Sequence, residues 1–152
     1  MSAPPRAVSD EPVFADVTRV YTPELANRSL PLIRRIVEDI VAQFARWQTR
    51  VREFEIVSAS NSMAAPDPRA EELEREVAAL AAELEHFHQE LTALDVEFKD
   101  YALGLIDFPG ELDGRPILLC WRLGEPTVAF WHELEAGYAG RQPLMPRAAV
   151  SG

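Results

Sequence analysis

Apolar residues in the first half of the chain recur alternately four and three positions apart. Ile33, Val37, Ile40, Phe44, Trp47, Val51 and Phe54 form one such series. Leu73, Val77, Leu80, Leu84, Phe87, Leu91 and Leu94 form a second. Each series is the seam of a helix whose apolar stripe faces a partner. Between them lies "SASNSMAAPDP", Ser58 to Pro68, small, polar and broken by two prolines. The pattern predicts an antiparallel, coiled-coil-like helical hairpin over about 23–94. Each arm of about 25 residues would be roughly 35–40 Å long at 1.5 Å per residue. "YTPEL" supplies a start signal, with Thr22 as N-cap, Pro23 in the first turn and Glu24 at the positive end of the helix dipole. Pro31 predicts either a kink in this helix or a fresh start capped by Ser29.

From Asp95 the period changes from helical to two. Four strands are predicted: "VEFK" (96–99), "LIDFP" (105–109), "PILLCWRL" (116–123) and "TVAFWHE" (127–133). Asp113-Gly114 and Gly124-Glu125 read as two-residue hairpin turns. Together they set a register that pairs Ile106 with Trp121, Phe108 with Leu119, and Leu119 with Phe130. One face then collects Ile106, Phe108, Ile117, Leu119, Trp121, Val128 and Phe130, all apolar. The other collects Glu97, Lys99, Leu105, Asp107, Leu118, Cys120, Arg122, Ala129, Trp131 and Glu133. In this register Asp107 lies opposite Cys120 and diagonal to Arg122, and His132 points away from Cys120.

The fold class is therefore α+β: a long antiparallel helical hairpin packed with a small antiparallel β-meander of three to four strands, about 96–133. A single domain is expected over 13–143. The proline-rich segment 1–12 is read as a disordered tail and 144–152 as a flexible one. The segment from Val13 to Tyr21 alternates enough for a short extended stretch. Beside its seam the first arm carries Ile36, Val41, Ala42 and Ala45. That stripe is wider than a lone hairpin covers, so the sheet or a second copy of the chain must pack there.

Charge narrows the partners. Among 152 residues, 15 Lys and Arg face 25 Asp and Glu, a net charge of -10. Nucleic acid and anionic membranes both select clustered positive charge, so neither is expected. One cysteine excludes an internal disulfide framework. No apolar run reaches the roughly 20 residues of a membrane helix, and the N-terminus lacks a signal-peptide core. A cytoplasmic protein is the expectation.

Three motifs in this chain, "YTPELAN…LPLI", "VEFKDYALGLIDFP" and "LCWRLGEPTVAFWHELEAGYAGRQP", resemble the bacterial domain of unknown function family 2203. The resemblance spans about Val20 to Pro143. The family's recurrent motif maps onto Lys99, Asp100, Gly104, Asp107, Phe108, Pro109, Cys120, Trp121, Arg122, Gly124, Glu125, Trp131, His132, Gly137, Gly140 and Arg141. It implies this architecture in a bacterial protein and no particular chemistry.

Candidate chemistry concentrates on the sheet. Asp107, Cys120, Arg122, Trp131, Glu133 and Arg141 form a candidate ligand or partner surface, with Trp131 as aromatic anchor and Arg122 as anion fork. The loop "GYAGRQP" would fold back over it and bring Arg141. Asp100, Asp107, His132 and Glu133 are candidate metal ligands, provided the last strand ends near Trp131 so that adjacent side chains converge. A Cys120–His132 nucleophile pair is disfavoured because alternation puts the two on opposite faces. Glu85-x-x-His88 has a di-iron-like spacing, but the first arm has no histidine to complete one, and a solvated helix face is expected. No glycine-rich phosphate loop is present. The leading expectation is a non-enzymatic interaction or scaffold module acting as a homodimer. The alternative is a small-ligand- or metal-binding protein, enzymatic or not, with its site on the polar face of the sheet. No cofactor is required by the sequence, and a divalent metal is the one it would admit.

Overall fold

The computed structural model describes residues 19–144. The segment read as a disordered tail, 1–12, lies outside the described residues, as do all but the first residue of the 144–152 tail and most of the extended stretch expected before Tyr21. Helix α1 runs Pro23–Ala59 and α2 runs Pro68–Ala93. Five strands follow: β1 (Glu97–Asp100), β2 (Leu105–Leu112), β3 (Arg115–Arg122), β4 (Phe130–His132) and β5 (Gln142–Pro143). All pair antiparallel in chain order, and a short 3-10 turn, Tyr138–Gly140, precedes the last. The architecture is α+β, with one strand more than the three to four expected. β5 is two residues long, too short for any period to show.

The caps explain where the helices start. Thr22 accepts a hydrogen bond from Leu25 N at 3.0 Å, and Asp67 accepts one from Arg69 N at 2.9 Å. Each cap is followed by a proline in the first turn. Pro31 lies inside α1 without ending it. Ser29 does not cap a fresh helix but donates back to Leu25 O at 2.9 Å. The arms pair by charge as well as by seam: Arg50 Nε sits 3.0 Å from Glu76, and Gln43 donates to Glu83. The Arg50–Glu76 pair is more than a third exposed, so it orients the arms more than it stabilises them.

Ile33, Ile36, Val37 and Ile40 of α1 share one core with Leu84 and Leu91 of α2 and with Phe98, Ile106, Phe108, Leu119 and Trp121 of the sheet. The sheet thus covers part of α1's wide stripe, including Ile36 and half-buried Val41, while Ala42 and Ala45 stay exposed. Tyr21 fastens the chain's entry: its N–H bonds Pro109 O at 2.7 Å and its hydroxyl donates to Leu94 O at 2.7 Å. Gly104 makes the close approach of sheet and helix possible. At φ +62°, a Cβ there would lie 2.9 Å from Leu123 Cβ and 3.2 Å from Val37 Cγ1. Among the described residues no helix is long and apolar enough to cross a membrane.

The β2–β3 register agrees with the expected one, Ile106 opposite Trp121 and Phe108 opposite Leu119. The β3–β4 register does not. Leu119 pairs with Trp131 and Cys120 with Phe130, one residue away from the expected pairing. The cause lies in α1. The Asn27 side chain accepts from Val128 N at 2.7 Å and donates to Val128 O at 3.2 Å. Both backbone groups of Val128 are thereby taken, so the ladder starts at Phe130 instead of Thr127. The connection becomes one residue longer than a two-residue turn implies, and every β4 side chain changes face. Trp131 moves to the core side, where it packs against the core edge. Phe130 and His132 move to the other.

Candidate functional site

That slip assembles the site. Asp107 projects from β2, Cys120 from β3 directly opposite, and His132 from β4 on the same face. Their ligand-capable atoms lie within 4.8 Å of one another, and all three side chains are buried. The expectation that His132 points away from Cys120 is corrected by the register.

The hydrogen bonds define what the imidazole does. His132 Nδ1 lies 2.7 Å from the carbonyl of Glu133, an acceptor only, so Nδ1 carries a proton and donates. Nε2 is thereby aimed at Asp107 Oδ1, 3.1 Å away. Burial alone would lower the His132 pKa. The hydrogen bond and charge of Asp107 outweigh it, and the net shift is upward. Cys120 is pushed far up, by burial first and by the Asp107 charge second.

Two chemistries are separated by these facts. A thiol nucleophile needs a depressed pKa and a base nitrogen of its own. Here the thiol is raised, Nδ1 is spent on the backbone and Nε2 faces the carboxylate, so the trio does not form a nucleophile–base pair. A zinc-type site needs several thiolate, imidazole or carboxylate donors converging, with a coordinating imidazole's second nitrogen held by an outer acceptor. The trio supplies each part.

A cavity of about 350 Å³ opens against Asp107 and His132. Its walls include Lys99, Leu105 and Leu118 from the sheet and Leu134, Glu135, Gly137 and Tyr138 from the strap after β4. The polar face is thus roofed, not solvated: Leu105 and Leu118 are buried alongside the trio. Arg141 fixes the strap. Its guanidinium lies 3.9 Å from the Phe130 ring centroid and 4.8 Å from that of Tyr138, and it donates to Glu125 Oε2 at 2.6 Å.

Other candidate residues fall outside the trio. Arg122 does not reach Asp107: its Nε sits 3.9 Å from Glu125, whose other oxygen accepts from Arg122 N at 2.9 Å. Trp131 lies on the opposite face, with Arg115 over its ring. The Glu133 carboxylate pairs with Arg115 at 2.6 Å, and only its backbone carbonyl serves the site. Asp100 caps the turn before β2 by accepting from Leu103 N at 3.0 Å. His88 is buried, not solvated as expected, and its Nε2 meets the Tyr101 hydroxyl at 2.7 Å. Sequence reasoning missed Asn27, Glu125 and Tyr138 as parts of this site. All three lie in or beside the family-like motifs, which was the only signal available for them.

A sequence profile described as Uncharacterized conserved protein (DUF2203) matches residues 19–144. The chain belongs to this family. No curated protein and no solved structure matches it. The family's description assigns no reaction, so chemistry must be argued from the trio and its cavity.

Proposed function

We propose that this chain binds a divalent transition metal of the zinc type through Asp107, Cys120 and His132, leaving one coordination position toward the cavity. One observation carries the reading: three chemically different ligand atoms lie within 4.8 Å of one another, with the outer nitrogen of the imidazole already held by a backbone carbonyl. Tetrahedral zinc sets its ligand atoms about 3.5 Å apart, a closure reached by small side-chain rotations. A mixed sulfur, nitrogen and oxygen set favours zinc, cobalt or iron over magnesium or calcium. Three protein ligands with an open fourth position are the arrangement of a reactive site, where the metal polarises a bound group.

The test is native mass spectrometry of protein purified without chelator, followed by cobalt substitution. The reading expects one metal per chain and a thiolate-to-cobalt absorption band that Cys120→Ser abolishes. A metal-free protein that gives no such band with added cobalt defeats it.

A second reading, self-association through the hairpin, rests on a different observation. Leu32 and Ile56 of α1 are 58% and 68% exposed, and a groove of about 470 Å³ lies between the arms beside Ala45, Thr49, Ala79 and Leu80. A homodimer would cover these surfaces and act as the scaffold that the helical pattern suggests. Sedimentation equilibrium decides it: a concentration-independent monomer mass rejects the dimer.

A further inference from the structure

We propose that the cavity takes a small aliphatic monocarboxylate, its head bridging the metal and Lys99 and its chain lying along leucines. The proposal rests on the metal reading above and goes beyond it to a ligand class.

The cavity is chemically polarised. Asp107, His132 and Lys99 line its polar end, with Cys120 opposite Asp107 on the neighbouring strand, while Leu105, Leu118 and Leu134 supply an apolar wall. With Asp107 and Cys120 ionised and His132 neutral, a divalent ion at the trio carries no net charge. Lys99, whose side chain is only 16% exposed, adds a positive charge at that end. Glu97 lies 3.6 Å from the ammonium and moderates that charge. An anion with two oxygens fits both demands: one completes the tetrahedron, the other accepts from the ammonium.

A carboxylate suits this better than a phosphate. Phosphate sites recruit several donors, commonly an arginine fork or a helix N-terminus. Here Arg141 donates to Glu125, Arg122 lies 3.9 Å from the same carboxylate, and the helical start at the cavity, after Gly137, opens a turn of only 3 residues. The leucines then favour a hydrocarbon tail over a polar one. Glu135 stands exposed in the cavity wall and disfavours a second negative group on the ligand.

The probes are acetate, butyrate and hexanoate, with the matching alcohols as controls, titrated into the cobalt-loaded full chain. The readout is the visible cobalt spectrum. Carboxylates should shift it and alcohols should not. Affinity should rise about fourfold per added methylene until the cavity is filled. Lys99→Met should weaken butyrate about tenfold or more while keeping the thiolate band, and Lys99→Arg should recover part of the loss. A retained thiolate band with no response to carboxylates overturns this proposal and leaves the metal reading standing. So does carboxylate binding that ignores chain length and the Lys99 variants, which would be simple ligation at an open metal. Absence of the thiolate band itself sinks the metal reading and this proposal with it.

Discussion

The two faces of the sheet are both buried, but by different means. The inner face, with Ile106, Phe108, Leu119 and Trp121, is covered by two helices and closes by apolar packing, with the Trp121 indole N–H donating to Glu125 O at 2.9 Å. The outer face, with Leu105, Asp107, Leu118, Cys120 and His132, is covered by the strap after β4, held by one arginine and a two-stranded pairing. A helix interdigitates and fills space. An irregular strap roofs the face and leaves a cavity, and polar groups can stay there only if they satisfy one another or a ligand. The comparison suggests that one face stores stability while the other holds chemistry.

The sharpest way to break that contrast is to empty the inner face. Phe108→Ala should cost about 3–5 kcal/mol in urea denaturation. Next comes metal. Free zinc at about a hundred times its dissociation constant should raise unfolding free energy by about 2.7 kcal/mol, and chelator should reverse the gain. Cys120→Ser should fold normally and show no gain. Equal stabilisation of parent and variant by zinc would place the metal elsewhere. Smaller again is Asn27→Ala, expected to cost about 1–3 kcal/mol by stripping both hydrogen bonds from Val128. It should also weaken cobalt binding, because β4 loses what sets its register. Full cobalt affinity in that variant would show the register to be held by other contacts. Last, Arg115→Ala removes an exposed partner of Glu133 and should change neither the denaturation midpoint nor cobalt affinity.

How much of this was legible in the sequence follows from the same elements. The hairpin, its caps and the β2–β3 register are written in local signals. Asp113 and Gly114 take φ of 54° and 80°, as a tight hairpin turn demands. Asp107 and Cys120 were therefore placed together from sequence alone. His132 was named with Asp107 as a candidate metal ligand but set on the face away from Cys120, because its face depends on Asn27, 101 residues from the Val128 it holds. No local turn rule carries that information. Gly124-Glu125 does sit in a turn, with Gly124 at φ 104° and Glu125 N bonded to Arg122 O at 3.1 Å. The chain then needs four further residues to reach the ladder at Phe130. The roof was only partly visible: "GYAGRQP" suggested a segment folding back, but the pairing of Arg141 with Glu125 is a tertiary fact.

Asn27 has a consequence for how the sheet can be inherited or transplanted. A fragment covering 95–144 keeps every strand and every member of the trio, yet it lacks the amide that occupies Val128. Freed from it, the last hairpin can take the shorter turn its own residues favour, which carries Phe130 and His132 together to the inner face, away from Asp107 and Cys120. The sheet is therefore no portable cassette: grafted without the first turns of α1, it carries the ligands and loses their convergence.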